Sequence, residues 1–291
     1  MSSPHQTILI PVDLADETLP RLEQSYPNLR FLADKVILMY VFDRRHYFSS
    51  EEERLSEIFK REEQLALIAN DIRNKTGLEV QHVIQKGKPA DEILAAAKNN
   101  DVDLIAISTH TNPDDKHTHS HAIGSTASRV IRESSVPVFS FNSNVKLQKI
   151  KKILLPLDLT VETRQKVTNA IQIAKRLHTS IAVVSVFYSL RYDDIRGQLE
   201  EQLYQVKRFI DAENILCTAE LIEEDGGAKM VPFAIMDYAE KVNANLIMIM
   251  TQQENKLVEF FMGSSAQTMI RHSKVPIMSI LPKELGFVVG L

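Results

Sequence analysis

Three matched sets of residues in this chain could together hold an anion. Asp13 and Asp158 each close an apolar run, Thr7-Ile-Leu-Ile-Pro-Val-Asp13 and Lys152-Ile-Leu-Leu-Pro-Leu-Asp158. Thr109 and Thr251 close a second kind of run, Asp103-Leu-Ile-Ala-Ile-Ser-Thr109 and Asn245-Leu-Ile-Met-Ile-Met-Thr251. Gly124-Ser125-Thr126 and Gly263-Ser264-Ser265 stand at the start of a helical pattern. The first N–H groups of a helix and the positive end of its dipole favour negative charge. A glycine lets the backbone come close to a phosphate, and hydroxyls add donors. Each piece alone is weak, because Ser and Thr also cap helices and Asp also closes turns. A different chemistry is written in Lys116-His-Thr-His-Ser-His121. An extended segment points His117, His119 and His121 the same way. Three imidazoles at about 2.0–2.1 Å form a zinc ligand set, with His110, Asp114 or Asp115 as a fourth ligand. The competing reading of that segment is a solvated loop.

The elements that must position these residues come twice. The two aspartates stand 145 residues apart, and so do Lys35-Val-Ile-Leu-Met-Tyr-Val-Phe42 and Ser180-Ile-Ala-Val-Val-Ser-Val-Phe187. Residues 123–138 return as residues 262–277, at an offset of 139. Ordered blocks with small drifts in offset mark a tandem duplication. The expected domains are residues 1–144 and 150–283, joined through the polar stretch 142–149. Within the first half, short apolar runs at 8–12, 36–42, 80–84, 104–107 and 138–141 read as strands buried on both faces. Helical patterns lie between them. Residues 51–74 place Leu55, Ile58, Phe59, Leu65 and Ile68 on one apolar face, and 91–99 form another helix. In the second half helices are expected near 162–177, 195–210 and 234–242. Strand–helix alternation predicts an α/β fold, with parallel strands, right-handed crossovers and about five strands per half. Pro20 and Pro27 predict a short or broken first helix, whereas its counterpart near 162–177 carries no proline. In such a sheet, ligands bind beyond the carboxyl ends of the strands where the winding reverses, and there all three sets of residues fall.

Composition narrows the function classes. The chain has 291 residues, enough for two domains, with a net charge of −4 and a single cysteine, Cys217. No positive field draws it to nucleic acid or to an acidic membrane. One cysteine excludes an internal disulfide and fits a reducing compartment. No basic segment followed by an apolar stretch opens the sequence, and no apolar run nears the ~18 residues of a membrane span, so a cytoplasmic protein is expected. Neither a Gly-x-Ser-x-Gly elbow nor a full phosphate-loop motif with its Lys is present. Gly226-Gly227 reads as a turn leaving the third strand, and the apolar residues 285–291 need a partner surface.

The ordered motifs resemble the universal stress protein family. The matching segments are Ile-Leu-Ile-Pro-Val-Asp13, Lys86-Gly-Lys-Pro-Ala-Asp-Glu-Ile-Leu94, Val102-Asp-Leu-Ile-Ala-Ile107 and Gly124-Ser with Val136-Pro-Val138, over almost the whole chain as two copies. The resemblance implies two similar doubly wound five-stranded parallel sheets, strand order 3-2-1-4-5, adenine-nucleotide-alpha-hydrolase-like, that associate through their last strands. It also implies ATP held by a Gly-x-x-Gly loop, a nine-residue spacer and Gly-Ser or Gly-Thr. Asp13 and Asp158 would then meet the ribose or phosphates, and Val41 and Val186 would lie against adenine. The sequence departs from this pattern in both loops. Met250-Thr-Gln-Gln253 and Ser108-Thr-His-Thr111 replace the glycines, and the first spacer, residues 112–123, is three longer than the nine residues 254–262 of the second. Side chains there narrow the phosphate cradle.

The expected function is a stress-response regulatory module binding ATP or another small anionic ligand, with no nucleic acid or membrane partner and with homodimerisation open. The alternative is a nucleotide-free scaffold for protein–protein contact. Weak ATP hydrolysis is the only enzymatic reading, and no residue set positions an attacking water.

Overall fold

The structure, a computed structural model, describes residues 6–14, 19–45, 47–109, 123–142, 145, 147–158, 163–187, 193–251 and 263–281. The first half runs β1 (Thr7–Pro11), α1 (Leu19–Leu32), β2 (Lys35–Asp43), α2 (Glu51–Thr76), β3 (Glu79–Gly87), α3 (Pro89–Asn99), β4 (Leu104–Ser108), α4 (Ser125–Glu133) and β5 (Val138–Phe141). The second half repeats this order as β6 (Lys152–Pro156), α5 (Thr163–Leu177), β7 (Ser180–Phe187), α6 (Asp193–Asp211), β8 (Cys217–Glu223), α7 (Val231–Lys241), β9 (Leu246–Met250), α8 (Ser264–His272) and β10 (Ile277–Ile280).

Each half has the order 3-2-1-4-5, with every pairing inside it parallel. The two sheets are not separate. β5 and β10 pair antiparallel, through Ser140↔Ile277, Phe139↔Met278 and Val138↔Ser279, and make one ten-stranded sheet. Phe139 and Met278 are repeat equivalents, so the centre of the seam pairs each copy with itself and gives the two halves a two-fold relation. The seam is tied by Ser140, whose hydroxyl donates to the Ile277 carbonyl at 3.2 Å. The Asn142 amide donates to the carbonyls of Ile270, Arg271 and Ser273 at the end of α8. On the α1 side the Arg176 guanidinium reaches the Phe31 carbonyl at 2.9 Å and Asp34 at 3.0 Å.

Strand alternation sends one set of side chains to each face. α1, α2, α5 and α6 cover one face, over Ile8, Ile10, Val36, Leu38, Ile153 and Leu155. α3, α4, α7 and α8 cover the other, over Leu9, Ile37, Ile105, Leu154 and Ile247. Each apolar layer runs through both halves without a break.

Three expectations change. The third strand is not buried on both faces: β3 lies at the sheet edge, and only Val80 along it is buried. On α2, Leu65, Ala69 and Ile72 are buried, but Leu55 and Phe59 are 55% and 73% exposed. At about 1.5 Å per residue, 26 residues carry the first turns of this helix past the strands it covers. Ser50 caps it by accepting the Glu53 N–H, and Gly77, at φ +75°, ends it. The first helix is neither broken nor much shortened: α1 has 14 residues against 15 in α5. Pro20 sits in its first turn, where an N–H has no helical acceptor to lose, and the helix continues through Pro27. Gly227, at φ +77°, makes the expected turn after β8.

The lone cysteine is buried. Cys217 is buried at the start of β8, and burial followed by the Asp211 carboxylate pushes its thiol up to about 12. The thiolate is the reactive form. A thiol reagent at pH 8 should therefore label the native protein hardly at all and the guanidinium-unfolded protein with one equivalent; rapid native labelling would contradict this burial.

Candidate functional site

The winding reverses between β1 and β4, and again between β6 and β9. β1 pairs with β4 only through Ile8↔Leu104 and Leu9↔Ile105, while its pairing with β2 continues to Pro11. β6 behaves alike, meeting β9 only at Ile153↔Leu246 and Leu154↔Ile247. The strands separate beyond these pairs, and in an open α/β sheet this switch point is where ligands bind.

Asp13 and Asp158 stand two residues past β1 and β6, and both are exposed. The chain turns sharply after the first. Leu14 has φ +59°, a left-handed conformation that costs a branched residue about 1–3 kcal/mol. That turn returns the Leu14 side chain to the core and leaves Asp13 outside. Asp13 lies close enough to Tyr40 to act on its phenol. Burial first, then the Glu57 and Asp13 carboxylates, push that group up against the opposing pull of Arg61. The Arg61 guanidinium stacks 5.5 Å from the Tyr40 ring centre.

Gly124 and Gly263 occupy the N-cap positions of α4 and α8 at φ −56° and −55°. Neither helix has a side-chain cap, and neither has an acidic residue in its first turn. Ser125 and Ser264 are exposed, while Thr126 and Ser265 are half-buried, inside the helices rather than capping them. The capping role that sequence allowed for these hydroxyls is therefore not what they do. Among the described residues, no atom lies within 4 Å of a Cβ built on Gly263. Neither its backbone conformation nor packing among the described residues demands glycine there.

Thr109 and Thr251 reach the expected strand ends, but they are buried and turned inward. Thr109 donates its N–H (2.9 Å) and hydroxyl (3.3 Å) to the Phe141 carbonyl. Thr251 does the same to the Ile280 carbonyl, at 3.2 and 3.5 Å. Their hydroxyl protons are held by the last strand of each half, so they brace the crevice wall. Val41 and Val186 are half-buried against the layer under α3, α4, α7 and α8. His117, His119 and His121, with His110, Asp114 and Asp115, lie outside the described residues. So do the loop residues Glu254 and Glu259. Among the described residues no three His, Cys, Asp or Glu side chains gather to hold a metal ion. No described helix is long and apolar enough to cross a membrane.

One polar group escaped the sequence reading. Lys166, in the first turn of α5, is 7% exposed, and its ammonium donates to the Pro156 carbonyl at 3.2 Å. The signal was present as a cation at the positive end of a helix, against the dipole.

Comparison with known proteins agrees with this architecture. A chain of Staphylococcus aureus (strain USA300) described as a universal stress protein is 26% identical over 145 residues, which is 46% of this chain and 86% of that one. The crystal structure of a universal stress protein from Archaeoglobus fulgidus superposes with a TM-score of 0.76 over 97% of this chain and all of its own, at 20% identity. The cytoplasmic domain of a prokaryotic cation chloride cotransporter shares the fold more loosely, with a TM-score of 0.52 and 13% identity over 94% of this chain and 95% of its own. That likeness is of fold alone. The universal stress protein family model matches twice, over residues 4–140 and 149–280. With the duplicated 3-2-1-4-5 sheet and the paired Asp and Gly-Ser elements, the chain belongs to the universal stress protein family, as two copies in tandem.

Proposed function

We propose that each switch-point crevice binds a small anionic ligand, ATP in the first instance, and that occupancy serves regulation in a stress response. The observation that carries this reading is the Gly-Ser start of α4 and α8 without a side-chain cap, with an exposed aspartate two residues past the central strand of the same half, present twice. Such helix starts offer N–H donors and a positive dipole end to a phosphate. Among the described residues nothing fills the space about Gly263, which is compatible with a close approach there by a ligand. Asp13 and Asp158 accept hydrogen bonds and so suit sugar hydroxyls better than phosphates. The reading is one of binding rather than turnover. Regulation follows if the ligand favours one arrangement of the crevice loops over another.

Protein purified without added nucleotide, then denatured, should release nucleotide detectable by chromatography, and calorimetric titration of the stripped protein should give heat with ATP. Asp13→Ala and Asp158→Ala should each weaken one site about tenfold, the range for losing a charged hydrogen bond. Gly263→Ala is a sharper probe. The new methyl meets nothing in the described protein, so weaker binding at unchanged stability reports a contact with ligand. Absence of bound nucleotide together with no heat would leave the duplicated fold as a protein-contact scaffold.

A further inference from the structure

The ten-stranded sheet ends in β3 on one side and β8 on the other, and the two edges are built differently. An edge strand is a template for pairing with another chain, and proteins guard such edges with charge. Met39 on β2 pairs with Val83 on β3, while its repeat equivalent Val184 on β7 pairs with Glu220 on β8. The middle of the second edge therefore carries a carboxylate where the middle of the first carries a valine. Two β8 edges meeting antiparallel about that position would set glutamate against glutamate, and like charges directly opposite repel. Two β3 edges would set valine against valine.

The backbone of β3 defines what its edge offers. The Glu79 N–H donates to the Asp34 carbonyl at 3.4 Å, and the Gly87 carbonyl accepts the Arg44 N–H at 2.8 Å, both on the β2 side. Successive residues turn their backbone groups to opposite sides, so Val80, His82, Ile84 and Lys86 turn theirs outward. The Arg73 guanidinium covers the Val80 carbonyl at 2.7 Å and closes the start of the edge. At His82 and Ile84 no strand lies beside β3 among the described residues.

α2 overhangs the same edge. From it Glu62 approaches His82, at 3.9 Å, and Arg73 reaches Val80. At three- and four-residue spacings Leu55, Phe59, Glu62 and Ala66 share one side of the helix with Arg73. The exposed Leu55 and Phe59 thus belong to the edge surface. Charge is graded along this helix, with Glu51, Glu52 and Glu53 in the first turn and Arg73 and Lys75 in the last.

We propose that β3 and α2 form the contact surface for a second copy of this chain, about a two-fold axis through Val83. Val83 then meets its own copy, and His82 exchanges backbone hydrogen bonds with the partner's Ile84. On the other face Gln81 lies opposite the partner's Gln85. α2 packs antiparallel to its copy, with the small Ala66 near the axis, and Leu55 and Phe59 run onto the C-terminal half of the partner's helix. The acidic first turn of each helix meets the basic last turn of the other, which is the charge match that selects a second copy as the occupant. Paired strands stand about 4.8 Å apart and packed helices 8–10 Å. α2 lies over Val36 and Leu38 of β2 as well as Val80 of β3, inboard of the edge, so both spacings fit together. The contact uses one patch on both copies and closes as a dimer.

Sedimentation equilibrium of the full chain tests this, with circular dichroism to confirm folding of each variant. The native protein should sediment at twice the 33.0 kDa of one chain. Val83→Glu, which gives β3 the residue that β8 already carries there, should raise the dimer dissociation constant about a hundredfold. Phe59→Ser, on the exposed side of α2, should raise it about tenfold. Leu216→Ser, an exposed apolar residue beside the other edge, should leave it unchanged. Val83→Lys should be monomeric alone, yet a mixture of Val83→Glu and Val83→Lys should associate, because the two charges meet at the axis. A monomeric native protein at high micromolar concentration overturns the proposal. So does a dimer that survives both Val83→Glu and Phe59→Ser, or a folded Glu and Lys pair that fails to associate. Growth past the dimer with concentration would mean β3 joined to β8 head to tail, and would overturn the two-fold contact.

Discussion

Met278→Lys should cost several kcal/mol and bring down the whole chain in one transition. Met278 is fully buried at the centre of the β5–β10 seam, opposite its own repeat equivalent Phe139, which is 4% exposed. An ammonium there would be buried among the apolar side chains of the layer formed by α1, α5 and the two seam strands. The effective desolvation penalty for a buried ion is several kcal/mol, a large share of the roughly 5–15 kcal/mol that holds a folded domain. Met278→Leu is the control, because a volume-conserving apolar exchange costs under about 1.5 kcal/mol. Urea unfolding followed by circular dichroism checks the pair. The lysine variant should lose most of its midpoint while the leucine variant keeps it. Equal midpoints would mean that the two halves do not depend on their seam.

Leu154→Ala should destabilise the chain by about 2–5 kcal/mol, and Leu9→Ala should match it. The two are repeat equivalents on the central strands β6 and β1, both fully buried under α3, α4, α7 and α8. Removing three heavy atoms from a site closed on every side leaves a cavity that the surrounding strands cannot collapse to fill. Because the layer is continuous across both halves, each single variant should shift one common transition in thermal unfolding. Two separated transitions, with only the mutated half moving, would show that the halves melt independently.

Much of this was legible in the chain. The duplication, the alternation of strand and helix, and the placing of Asp13, Gly124 and their partners at strand ends and helix starts follow from local signals. A buried strand reads as an apolar run, an amphipathic helix as a 3.6-residue period, and a helix start as Gly-Ser. Thr109 shows where such reading stops. Its position was clear, but its hydroxyl goes to the carbonyl of Phe141, 32 residues away, and no local pattern announces that.

What the sequence determined by itself was each element's type and its order, because both depend on residues within a few turns of one another. The tertiary structure alone decided which strand became an edge, so that β3 lost the burial its apolar run suggested. It alone decided that Phe139 would face Met278 across an antiparallel seam, and that the Lys166 ammonium would be buried against the Pro156 carbonyl. Burial and pairing are properties of neighbours brought together from far along the chain. The free energy of an apolar or charged side chain depends on those neighbours, not on its own place in the sequence.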